Sequence, residues 1–230
     1  MIALARMRLN AYAKGGRVWP PAIATVVLLG IMYGGGVGPP APTFGYAALV
    51  LFPVIAWQSK LVLDAEPDVQ RRLARVSVGA PREALAGIAC ALVAGLAVSA
   101  AAVVVPLPLL LAREPAPGRP TMTTGTAAGV LAHLLMIPAA VAVGALASRA
   151  VTRAAGNGVA VLVSGVVLII VLGLHGSVAP WLAPPIMAMS RSLAAPVFPS
   201  AGAFLLLCGW AVAWCAVAFT AYAVVRRSRT

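Results

Sequence analysis

With 230 residues, 62% of them hydrophobic and only 10% charged, the chain lies far from an ordinary soluble domain, whose charged fraction is about 25%. Seventeen Lys and Arg stand against five Asp and Glu, a formal net charge of +12, and nearly all of these charges fall in short stretches between long apolar runs. That pattern, at a mean hydropathy of +0.99, excludes a soluble globular fold and predicts an all-α polytopic membrane protein.

Residues 1–17 read as an amphipathic helix. Ile2, Ala5, Leu9 and Tyr12 fall on one face, and Arg6, Asn10, Lys14 and Arg17 on another. Such a helix lies in the inner interface, apolar side down, until Pro20 and Pro21 break it. It is either an inert anchor or an elbow packed against a partner. Six apolar segments of spanning character follow: Pro20 to Val37, Phe44 to Trp57, Ala84 to Val105, Gly125 to Ala147, Gly158 to Leu174 and Gly202 to Val225. The first is over-length for a cleaved signal and reads as a permanent span. The second reaches full length by continuing through Lys60 to Leu63, with Lys60 snorkelling to the headgroups.

Between the second and third spans, residues 64–82 form the richest segment. Asp64, Glu66 and Asp68 sit at the start of a short helix over 64–78, with Pro67 at its first position and Arg71, Arg72 and Arg75 toward its end. Val69, Leu73 and Val76 make an apolar stripe, and Gly79 followed by Pro81 ends the helix. Two readings stand: a helix lying on the membrane surface, or one presenting charge and a small apolar ridge to a soluble partner.

Farther on, Pro106 and Pro108 kink or end the third span, and Arg113 to Thr124 is a Pro-rich surface connection. Residues 178–201 hold five prolines in or near two half-length apolar pieces, Trp181 to Leu193 and Ala194 to Ala203, which read as shallow re-entrant or interfacial helices on the outer side. A seventh span there would strand Arg226, Arg227 and Arg229 outside. Basic residues near span ends stay in the cytoplasm, and fourteen of the seventeen fall on one side when both termini are placed there. Arg113, Arg119 and Arg191 are the three left outside. Spread over four segments without aromatic interleaving, the basic residues read as topology signals that also attract anionic lipid, with no nucleic-acid partner.

Small residues recur at helix-packing intervals. Gly30 and Gly34 form a GxxxG in the first span, and Gly87, Ala91, Gly95 and Ser99 form a stripe in the third; they pack either within one chain or between two. Cys90, Cys208 and Cys215 lie inside spans, and their spacing suggests neither a disulfide nor a metal. No acidic or basic residue lies mid-span, which disfavours an ion-coupled transporter. His133, within the fourth span, and His175, at the outer end of the fifth, lie at different depths. Ser164 lacks the first glycine of a GxSG, and His175 follows on the same helix, so no serine–histidine dyad forms. The chain contains no GxxxxGK[ST] phosphate loop, so no nucleotide cofactor is expected on it and it does not read as an enzyme.

The interfacial helix, six spans, charged cytoplasmic loop and broken outer segment resemble the permease subunits of type-2 ATP-binding-cassette (ABC) exporters. The likeness concentrates in Trp57 to Glu83, where Leu63-Asp64-Ala65-Glu66-Pro67-Asp68 precedes Arg71, Arg72, Arg75, Gly79 and Arg82. It implies that Asp64 to Val78 is a coupling helix fitting a groove on a separate ABC ATPase subunit, which binds the ATP and Mg. It implies a second permease copy, identical or not, with the first and fifth spans as the dimer seam. It further implies residence in a bacterial inner membrane and export of a hydrophobic or amphiphilic substrate. A non-transport accessory, immunity or scaffold protein is the alternative.

Overall fold

A computed structural model of the chain describes residues 2–112 and 120–228; Arg113, Arg119, Arg229 and most of the connection from Arg113 to Thr124 lie outside them. Among the described residues the regular elements are all helical: α1 (Ile2–Lys14), α2 (Trp19–Tyr33), α3 (Pro40–Leu63), α4 (Asp68–Val78), α5 (Ala80–Val104), α6 (Leu107–Leu111), α7 (Met122–Leu146), α8 (Arg149–Thr152), α9 (Ala155–Gly173), α10 (Ile186–Ala194) and α11 (Ala201–Ser228). Five stretches are long and apolar enough to cross a membrane: Pro40–Leu63, Ala80–Leu111, Met122–Thr152, Ala155–Gly173 and Ala201–Ser228. They agree with the second to sixth predicted spans, as a multi-pass membrane protein requires.

The first predicted span is different. α2 has 15 residues, about 22 Å of helix, and is bent by 72° from α1. The break falls at Gly15–Gly16, where Gly16 takes a positive φ of 70°, rather than at the prolines. Pro20 and Pro21 instead occupy the first turn of α2, where a missing N–H leaves no bond unmade. α1 also differs from a helix resting on lipid. Tyr12 is buried, and Ala5 and Leu9 pack on the core, because the apolar face turns toward α5 and α3.

At the centre α3 and α7 pack along most of their length, and the sequence permits this by placing glycines on α7. A Cβ at Gly129 would stand 2.3 Å from that of Phe44, and one at Gly144 would stand 2.4 Å from the Ala56 carbonyl oxygen. Gly125 meets Pro40 in the same way. Backbone-to-backbone approach of this kind replaces the hydrophobic drive that lipid cannot supply. The two small-residue patterns now separate. Gly95 lies between Ile55 and Ile137, and Gly87 leaves room for Leu63 and the Arg8 guanidinium, so both pack within the chain. Gly30 is exposed on α2 with no atom near its missing side chain, beside exposed Ile23, Val26, Val27 and Ile31.

The outer segment at 178–201 is one helix, not two. After a 3-10 turn at Pro180–Leu182, α10 buries Ile186, Met189 and Leu193 against the upper part of the bundle, with Leu193 seated over Gly45 of α3. Residues 195–200 are irregular and α11 begins at Ala201. Pro196 and Pro199 explain why the second half-helix fails to form. Arg191 turns back to donate to the Gly173 carbonyl at 2.8 Å, satisfying the end of α9.

Replacing Gly144 with Ala is expected to cost about 1–3 kcal/mol, because the obstruction is backbone and cannot swing away. Gly30→Ala, in open space, is expected to leave stability unchanged. Thermal unfolding of the two variants in detergent, measured side by side, checks this; equal midpoints would contradict the packing.

Candidate functional site

The helix expected over 64–78 starts four residues later. α4 begins at Asp68, with Pro67 as an extended residue before it, and ends at Gly79, whose φ of 85° no L side chain adopts comfortably. Asp64 is instead the cap of α3, and Ala65 and Glu66 form the turn between the two helices. This shift separates the candidate residues into two groups with opposite surroundings.

The first group is buried and holds the end of the bundle together. Asp64 accepts from Lys60 Nζ at 2.8 Å and from the Arg149 backbone N–H at 2.8 Å, while its carbonyl accepts from Arg149 Nη2 and Arg17 Nη1. Lys60 therefore does not snorkel. Asp64, one helical turn on, holds its ammonium, and glycine at 158 leaves space for the Lys60 stem, which a Cβ there would meet at 2.8 Å. Glu66, 1% exposed, accepts from Arg8 Nη2 at 2.6 Å. The same guanidinium nitrogen donates to Glu83 Oε1 at 2.8 Å. Glu83, also 1% exposed at the foot of α5, takes Arg75 Nε on its other oxygen at 3.4 Å and is bonded there by Arg226 Nη2. Arg226 also donates to the Tyr222 hydroxyl at 2.8 Å.

Two carboxylate hubs thus join α1, α3, α4, α5, α8 and α11 at one end of the molecule, which for convenience is its lower end. An uncompensated buried carboxylate is costly, so each hub holds several helices in register at once. Arg8, Glu83, Lys60 and Arg226 were not among the residues expected to carry a site. The available signal was scarcity: with only five acidic residues in the chain, the four between 64 and 83 must each find cations if they approach the bilayer.

The second group faces outward on α4. Val69, Leu73 and Val76 are 68%, 64% and 88% exposed, forming an apolar ridge that the described residues leave uncovered. Arg72 is exposed beside it, whereas Ala74 on the opposite side is buried. Arg71 pairs with Asp68 at 2.8 Å, and Arg75 points inward to Glu83, so neither is free to serve as an outward hook. Burial pushes the Arg71 guanidinium below its ordinary value; Asp68 opposes that shift and Arg75 adds to it. α4 is therefore fixed by its buried edge and bare along the other.

Elsewhere, His133 is buried in the bundle, with its Nδ1 at 2.9 Å from the Gly129 carbonyl and its ring in a T-shaped arrangement with that of Phe44. His175 is exposed after α9. Ser164 bonds to the Ala160 carbonyl of its own helix at 2.7 Å. Cys90, Cys208 and Cys215 are free thiols within α5 and α11. Comparison with protein-family models, with curated proteins and with solved structures gives no match.

Removing one member of a buried ion network costs about 3–5 kcal/mol, whereas an exposed pair contributes under about 1 kcal/mol. Glu83→Ala is therefore expected to lower the yield of monodisperse protein and its melting midpoint sharply. Asp68→Ala, at the exposed start of α4, is expected to leave both nearly unchanged. Similar losses from the two substitutions would show that Glu83 is not the hub.

Proposed function

We propose that this chain is the membrane-embedded permease subunit of an ATP-driven exporter of the type-2 ABC kind, working with a separate ATPase subunit and a second permease copy. In this reading α2 is the sixth crossing. It leaves the lower end beside Arg17, which bonds to Asp64, and reaches α5 near its far end, where the Tyr33 hydroxyl donates to the Ala102 carbonyl. Six crossings return both termini to one side, consistent with Arg8 and Arg226 meeting at Glu83. The bias of basic residues makes that side the cytoplasmic one, and the resemblance to the exporter permeases implies a bacterial inner membrane.

The observation that carries the proposal is the bare apolar ridge on an anchored helix. A loop needed only to connect α3 to α5 has no use for three large exposed apolar side chains facing away from the bundle. A groove on a soluble ATPase covers them. Because Arg75, Glu83 and Arg8 tie α4 to α5 and α1, a push on the ridge is transmitted to those helices rather than absorbed by the loop. Nucleotide drives the cycle if it binds preferentially to the closed ATPase pair. The exposed faces of α2 and α9 supply surface for lipid and for the second copy, and the pathway for a hydrophobic or amphiphilic substrate runs between copies.

Two experiments test the reading. Co-expressed with a Walker-motif ATPase from a neighbouring reading frame, where one is found, the full chain is expected to co-purify with that subunit. Val69→Asp, Leu73→Asp and Val76→Asp together are expected to reduce capture at least about tenfold, since charged groups cannot be buried unpaired. Arg72 and the buried lattice stay intact in that variant, so its fold serves as the control. Undiminished capture would refute the docking role. Separately, a Val76→Cys variant is expected to react with a membrane-impermeant maleimide from the cytoplasmic side only, and labelling in intact cells from outside would overturn the orientation.

A further inference from the structure

A cleft opens at the lower end between the start of α5 and the end of α11. Both helices pack on α7, and they join one another through the Glu83–Arg226 bridge. The cleft has a volume of about 450 Å³, within the ~300–1,000 Å³ typical of small-molecule sites. Its walls are Leu85, Ile88 and Leu92 on one side and Phe219 on the other, while Arg226 and Arg227 stand at its end. Leu85 is more than half exposed, so the cleft is open to the surroundings of the bundle rather than sealed within it.

Its electrostatics are one-sided. Three guanidinium groups, those of Arg8, Arg75 and Arg226, share the two carboxylates of Glu66 and Glu83. Among the described residues, the bridge beneath the cleft therefore carries a positive surplus. An apolar trough roughly parallel to two membrane-length helices, ending in cationic charge where those helices leave the bilayer, is complementary to one class of molecule.

The geometry points to a binding site for an anionic phospholipid, its acyl chain along Leu85, Ile88, Leu92 and Phe219 and its phosphate at Arg226 and Arg227. An anionic headgroup at that level completes the charge balance of the lattice that fixes α1, α4 and α11. The assignment to the cytoplasmic leaflet rests on the orientation proposed above. The site itself does not, because binding is read without ATPase, transport or sidedness.

The test is native mass spectrometry of the full chain in detergent, titrated with phosphatidylglycerol or with phosphatidylcholine of the same acyl chains. One phosphatidylglycerol is expected to be retained in preference to phosphatidylcholine. Arg227→Gln is expected to cut that preference about fivefold, the effect of one basic residue near an anionic surface. Ile88→Trp, which fills the trough, is expected to lower retention of both lipids. Equal retention of the two lipids by the native chain, or a preference unaltered by Arg227→Gln, would overturn the proposal. Displacement of the lipid by inorganic phosphate, but not by potassium chloride of equal ionic strength, would also overturn it, because the site would then recognise a free anion.

Discussion

The structure depends on keeping carboxylates dry at the edge of a membrane. Glu83 is nearly inaccessible at the foot of a membrane-length helix, and only the cations gathered from α1, α4 and α11 make that position tolerable. Glycine at 87 follows from the same requirement, since a side chain there would occupy the space of the Arg8 guanidinium. α1, α4 and α11 are thus positioned by one acidic residue, and Asp64 does the same for α3 and the turn into α8.

Above that layer the bundle is held by shape. α3 and α7 approach through glycines that admit Phe44 and the Ala56 carbonyl, and α10 is set against Gly45. Charge organises one end and close packing the other. The consequence is a rigid centre with α2, α9 and α11 at its margin, their outer residues exposed to whatever surrounds the bundle.

Much of this was legible in the sequence because hydropathy is a long-range average: five of six segments were placed to within a few residues, and Gly79 ended its helix as its conformational freedom implies. What was not legible depended on partners distant in the chain. Arg8 carries no periodic signal of its own, and its acceptors are 58 and 75 residues away. Asp64 and Glu66 fit a helix start by composition, but those buried cations draw them into the turn preceding it. Lys60 could equally reach for headgroups; only the proximity of Asp64 and the gap at Gly158 decide otherwise. The inward and outward roles of the glycine patterns likewise depend on which neighbour arrives, a property that spacing does not encode.

The sequence separation within the lattice sets an order on biosynthesis. Glu83 leaves the ribosome long before Arg226, which follows 143 residues later. Throughout that interval the acid holds only its earlier cations, and Tyr222, through whose hydroxyl Arg226 is steadied, is also still to come. α11 therefore closes a junction whose acid and other cations were translated long before it.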